Sequence, residues 1–226
     1  MLVFAIAFSS LCQDSTDGAA LLERLERALE EAKSVSLQFE GTLKDSDKSL
    51  PYSGTIRVKG GGKILVAFSF VQGDRKNELR IQSDGSKVVI DHGKESRRTE
   101  ECPRDLTRFV LRGIGRMGMF ELCYSLGRLG EGSKKANQNL AELPLSMDSS
   151  VTDGKEGGKI LGSVFAYAAA RKPHKRGATK LWLDADTLTP LQRSSEYTKD
   201  DPMFVFTETY EGFSTEEIPD SEFEID

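Results

Sequence analysis

The sequence predicts a mainly β, α+β fold: an antiparallel sheet built from two strand meanders, with an N-terminal helix and a helical lid inserted between the meanders. Three observations predict it. Apolar and polar residues alternate through both halves of the chain, the period of a strand with one covered face. Turn dipeptides such as Asp84-Gly85 and His92-Gly93 divide these stretches into short strands. The period changes to helical spacing at two places, near the start and in the middle. Strands adjacent in sequence usually pair, so a meander is the expected order.

The elements follow from the N-terminus. The opening MLVFAIAFSSLCQ is an apolar run ending in small residues, which reads as an export signal over residues 1–12. It falls well short of the ~20 apolar residues that a membrane span needs. The expected location is therefore the periplasm or cell envelope. Cys12 is a weak match for a lipid-anchor cysteine, because Ser9 rather than Leu stands three residues before it. Residues 13–17 form a polar linker, and one domain is expected over 18–226. Asp17 is placed to cap a helix over Gly18–Lys33, where Leu22, Leu25, Leu29 and Ala32 recur at helical spacing. Glu23 and Arg27 add an i,i+4 pair on its polar face.

From Ser34 the period switches to two. SVSLQFEGTLK sets Val35, Leu37, Phe39 and Leu43 against Ser34, Ser36, Gln38, Glu40 and Thr42. YSGTIRVKGGGKILVAFSF reads as two strands about a turn at Gly60 to Gly62, and ELRIQSDGSKVVIDHGKESRRTEE supplies three more. The segment 105–130, DLTRFVLRGIGRMGMFELCYSLGRLG, carries apolar residues at helical spacing, but too many for one face. Gly113, Gly115, Gly118 and Gly127 interrupt it, which predicts two short helices or one kinked helix. A polar loop follows over 131–139. ILGSVFAYAAA, TKLWLDADTLTPLQRSSEY and MFVFTETYEGF then read as strands, with turns at Asp184 to Thr187 and Lys199 to Pro202. The acidic tail STEEIPDSEFEID offers Ile218, Phe223 and Ile225 as docking points.

Four patterns in this order resemble the LolA and LolB lipoprotein-carrier superfamily. They are the first helix running into SVSLQFEGTLK; GTIRVKGGGKILVAFS followed by QSDGSKVVID; TKLWLDADTLTPLQRSSEY; and the closing TETYEGFSTEEIPDSEFEI. Together they cover most of the chain from Gly18 onward. The resemblance implies an incomplete, strongly curved antiparallel β-barrel whose helix-covered concave side holds the acyl chains of lipid or lipoprotein. It also implies a monomer that receives or delivers its ligand at membrane-embedded donor or acceptor proteins. One departure stands out: the basic residue that follows Val-Lys in the carriers' second strand is Gly60 here, after Val58-Lys59. That weakens lipoprotein transfer more than lipid binding. The same fold occurs in envelope-stress modules that bind a membrane regulator, which is the alternative function.

Phe39, Ile56, Val58, Val66 and Phe68 on the strands, with Phe109, Val110, Met117, Phe120 and Leu126 in the lid, are the candidate lipid-binding residues. The strand set equally fits a filled core beneath the first helix, since alternation does not separate the two. Leu181 and Leu183 belong to the same pattern. Methionines such as Met117 and Met119 adapt to irregular apolar surfaces.

Other functions find little in the sequence. Lys plus Arg number 31 against 36 Asp plus Glu, a net charge of −5, which gives no basic stripe for nucleic acid. His92 and His174 sit in polar, turn-like contexts, with no nucleophile motif, metal spacing or phosphate loop, so neither an enzyme nor a cofactor is expected. Asp184 and Asp186 read first as turn residues. The basic run Arg171, Lys172, His174, Lys175 and Arg176 could meet anionic headgroups but reads first as a solvated loop. Cys102 and Cys123 leave room for one bridge, though Cys123 lies among apolar residues where a free buried thiol is common.

Overall fold

The computed structural model describes residues 24–225 apart from 26, 30, 46–47, 74, 94–95, 115–116, 120–146, 154–158, 169–175, 185 and 199–202. Residues 24–31 are helical at each described position (α1). Six strands then follow: β1 (Ser34–Asp45), β2 (Lys48–Lys59), β3 (Lys63–Gln72), β4 (Arg75–Asp84), β5 (Lys87–Asp91) and β6 (Arg97–Glu101). Helix α2 (Leu106–Ile114) and a 3₁₀ turn (Met117–Met119) come next. The second meander is β7 (Met147–Asp153), β8 (Lys159–Ala168), β9 (Arg176–Asp184), β10 (Pro190–Thr198) and β11 (Met203–Ser214), closed by a 3₁₀ turn, Asp220–Phe223.

All eleven described strands join one antiparallel sheet in the order β6-β5-β4-β3-β2-β1-β11-β10-β9-β8-β7. The two meanders meet where β1 pairs with β11, and the sheet is not closed, having β6 and β7 at its edges. The incomplete barrel expected from the sequence is thus observed. The chain between the two edge strands is the insertion that contains α2.

Alternation decides which face is covered. Val35, Leu37 and Phe39 stand opposite Val58, Ile56 and Gly54, and Ile56 and Val58 stand opposite Val66 and Ile64. Val66 and Phe68 face Ile81 and Leu79, and Ile81 faces Ile90. These rows form one apolar inner face, covered by Leu25 and Leu29 of α1, Leu106, Val110 and Ile114 of α2, and Met119 of the turn. The two helices bring short apolar stripes, and α2 at nine residues is too short to be stable without that packing.

Two elements differ from the sequence reading, while the described part of the lid follows it. β2 begins at Lys48 rather than Tyr52, and β7 falls where no strand was expected. Its sequence, MDSSVTD, is mostly polar, as suits an edge strand. The lid is helical over Leu106–Ile114 and turns again at Met117–Met119.

Candidate functional site

Six of the ten candidate lipid-binding residues lie together in the core of the inner face. Ile56, Val58, Val66 and Val110 have no exposure, and Phe39 and Phe68 are buried beside them. Phe109 and Met117 are half-buried and pack against the same cluster. Phe120 and Leu126 lie outside the described residues, as do Cys123 and the basic run over 171–175. Where described, the inner face is closely packed.

Two glycines shape this face. Gly54 stands between Phe39 and Phe68 in the cross-strand row, and a Cβ there would lie 2.6 Å from Phe39 Cζ. Its absence lets the two rings stack at 6.3 Å. Gly41 separates Tyr52 on β2 from Glu208 on β11, and a Cβ there would lie 2.7 Å from the Tyr52 ring. The phenol therefore crosses β1 and reaches the carboxylate.

That carboxylate is the chemical centre of the inner face. Glu208 is the one acidic residue within the buried set described, and its side chain has no exposure. Its Oε1 accepts hydrogen bonds from Tyr52 Oη and from the Gly118 backbone N–H, both at 2.8 Å. Its Oε2 accepts from Arg193 Nη2 at 2.8 Å and from Tyr210 Oη. Register explains the grouping: Tyr52, Gly41, Glu208 and Arg193 form a single row across β2, β1, β11 and β10. Burial above all, with the adjacent Glu208 charge second for Tyr52, holds both phenols well above the usual tyrosine range. They therefore remain protonated donors at neutral pH. A buried ion pair is tolerable only when its remaining hydrogen-bonding positions are filled, and the two phenols and Gly118 do this for the carboxylate.

Gly118 links this centre to the lid. Its φ of +71° is a left-handed conformation, and a Cβ there would lie 2.6 Å from Phe39 Cε1 and 2.7 Å from Ile56 Cδ1. Met119 follows with φ +53°, a strained value for a side-chain-bearing residue, while its side chain is buried in the core. The Met117–Met119 turn thus lies directly on the aromatic part of the inner face.

The outer face is polar. One groove of about 550 Å³ is lined by residues including Thr42, Ser53, Ser69 and Thr207 and reaches Tyr52 and Glu208 past Gly41, and a second of about 400 Å³ is lined by residues including Thr55, Lys76, Glu78 and Arg80. The C-terminal tail crosses the same face. Lys33 pairs with Glu217 at 2.8 Å, Lys59 and Lys63 pair with Asp220 at 2.7 and 2.6 Å, and Arg57 pairs with Glu222. Gln82 Nε2 donates to the Glu224 carbonyl at 2.6 Å. Arg57, Leu65, Gln82 and Val89 are one cross-strand row, the Asp220–Phe223 turn lies against β3 and β4, and Phe223 is fully buried yet outside the main core. Of the three docking points read from the sequence, Phe223 is the one that buries. The hydrogen bonds from Lys59 and Lys63 hold the Asp220 carboxyl down at about 2.

Of the other polar motifs, Asp184 has a structural place. Asp184 Oδ1 accepts from the Asp186 and Thr187 amides and the Thr187 hydroxyl, which makes it the keystone of the β9–β10 turn. These bonds, chiefly from Thr187, hold its carboxyl below the usual range. Cys102 carries a free thiol, 3.5 Å from Ser83 Oγ. Among the described residues no group of three His, Cys, Asp or Glu is arranged to hold a metal ion.

No family model matches the chain, and no curated protein matches it. Solved structures similar to it include a LolA superfamily protein from Nitrosomonas europaea, at 10% identity and a TM-score of 0.36, covering 92% of this chain and 98% of that one. LprF from Mycobacterium bovis is similar at 11% identity and a TM-score of 0.46, over 87% of this chain and 92% of that one. The Pseudomonas aeruginosa MucA/MucB complex is similar at 14% identity and a TM-score of 0.41, over 92% of this chain and 61% of that one. At these identities no residue role passes from them to this chain.

Proposed function

We propose that this chain is a non-catalytic binder or carrier of lipid or lipoprotein acyl chains, acting in the cell envelope and exchanging its ligand with membrane proteins. The observation that carries the reading is the cover of the inner face. Among the described residues, the apolar sheet surface is covered by short helical pieces only: α1 from the N-terminal side, and α2 with the Met117–Met119 turn from the insertion between the two edge strands.

The energetics allow exchange. Among the described residues of the insertion, Leu106, Val110, Ile114 and Met119 are the fully buried apolar side chains set on the sheet. At ~1.5–3 kcal/mol each, their burial contributes about 6–12 kcal/mol. An acyl chain of about fourteen methylenes, at ~0.8 kcal/mol each, supplies about 11 kcal/mol on the same surface. The ligand's contribution is thus of the same order as that of these four side chains, and strain at Met119 favours release of the turn. Phe39, Ile56, Val58, Val66 and Phe68 become the floor of the opened site, with Phe109, Val110 and Met117 on the displaced cover.

The test is to express the protein in its host, purify it without detergent and analyse an organic extract by mass spectrometry, alongside uptake of a pyrene-labelled acyl probe. Stoichiometric lipid, or saturable uptake that native lipid displaces, is expected. Neither lipid nor uptake would overturn the reading.

A further inference from the structure

Glu208 bears on which lipids such a site would take, an inference that rests on the acyl-binding reading above. Its four hydrogen-bond partners differ in origin: Tyr52, Arg193 and Tyr210 stand on β2, β10 and β11, whereas the Gly118 N–H belongs to the inserted turn. When that turn lifts, three donors stay and Oε1 loses one. The emptied position is not remote from the apolar floor, because Gly118 presses on both Phe39 and Ile56. A chain lying on those two residues brings its head to within reach of Oε1.

A buried carboxylate oxygen that loses a donor is costly, and the cost is regained when another donor takes the place. We infer that Gly118 occupies the position of the ligand's own donor, so that the site selects acyl chains whose head is uncharged and carries an N–H or O–H group. Amides, alcohols and partial glycerides satisfy this. A methyl ester offers no donor, and a fatty-acid carboxylate adds a second negative charge beside Glu208 with no proton to give. Arg193 does not reverse this, since its Nη2 is already engaged by Oε2 on the far side of the carboxylate from Gly118.

A chain-matched series tests the inference on the intact wild-type protein: lauramide, lauryl alcohol, methyl laurate and laurate, each displacing the neutral probe N-phenyl-1-naphthylamine at neutral pH. Lauramide and lauryl alcohol are expected to bind on the order of tenfold more tightly than methyl laurate, with laurate weakest. In Glu208→Gln, where it folds, the amide-to-ester ratio collapses toward one; the wild-type series decides the matter where it does not. The amide donor could come from a free lipid or from an acylated cysteinyl peptide. A diacylated, N-acylated cysteinyl peptide and its N-methylated amide form a further pair: preference for the unmethylated peptide assigns the donor to lipoprotein, and equal binding of that pair alongside a strong lauramide preference assigns it to free lipid. Ester binding equal to or tighter than amide, or laurate binding best, overturns the inference while leaving the acyl-binding reading intact. No displacement by any member overturns both.

Discussion

Replacing Glu208 by Gln is the perturbation that most directly probes the centre of the inner face. The substitution keeps the side chain's volume but turns one acceptor oxygen into an NH₂ donor. With the amide nitrogen toward Arg193, two donors that cannot accept face each other; with it toward Gly118, the backbone N–H loses its partner. Either orientation also leaves the Arg193 guanidinium buried without its counter-charge. Breaking a buried pair from one side costs about 3–5 kcal/mol, which for a domain of this size lowers Tm by roughly 6–20 °C. Urea titration followed by circular dichroism reads the loss as a lower midpoint at unchanged slope. Arg193→Met should cost a similar amount, and the double variant far less than the sum, because removing both charges leaves no orphan. A loss under about 1 kcal/mol for Glu208→Gln, or strict additivity in the double variant, would refute the account of Glu208 as the hub.

Three further outcomes are expected. Gly118→Ala forces a Cβ into Phe39 and Ile56 at a positive φ, so it should destabilise by at least ~1–2 kcal/mol and raise binding of an apolar dye by holding the turn off the sheet; unchanged dye binding at full stability would contradict the packing. Phe223→Ala should free the tail without unfolding the sheet, seen as new proteolytic cleavage between residues 214 and 225 at little cost in near-ultraviolet dichroism. The tail also responds to acid. Asp220 is depressed from 3.8 to about 2, so its contribution is complete above the ordinary value and is lost as pH falls through about 2. Amide exchange over the Asp220–Phe223 turn should rise in that window and, because these pairs are exposed, also rise with salt; exchange indifferent to both would show that Phe223 alone holds the tail.

Much of the sheet was legible because its signal is local. Alternation through Val35 to Phe39 and Ile56 to Val58, and turn chemistry at Asp84 and Asp184, need no knowledge of partners. β7 was not legible because an edge strand has one neighbour to satisfy and can be almost wholly polar. The eight chosen residues that are described share one packed core, which fits a filled core as well as a floor and cover, and the polar centre was missed. A signal for it existed: in TETYEGF, Glu208 occupies the inward register between Phe206 and Tyr210, where an unpaired carboxylate is intolerable. What the sequence did not reveal was which residue pairs with it. Arg193 lies fifteen positions earlier by number, on the neighbouring strand, and only the register of β10 against β11 sets it opposite Glu208.

If the inner face binds acyl chains as proposed, the two kinds of contact made by the inserted segment divide the labour of the site. Met119 and the stripe of α2 touch the sheet through apolar surface, and apolar surface does not distinguish a leucine side chain from a length of acyl chain. These contacts set how tightly something is held and leave open what it is. The Gly118 N–H bond to Glu208 is directional and sits where solvent does not reach, so only a group of matching chemistry replaces it without loss. Arg193 and the two phenols hold the Glu208 carboxyl group in place independently of the turn, because all three belong to sheet strands and not to the insertion. On the proposed acyl-binding reading, affinity on this face scales with chain length, while selectivity rests on a single oxygen of Glu208.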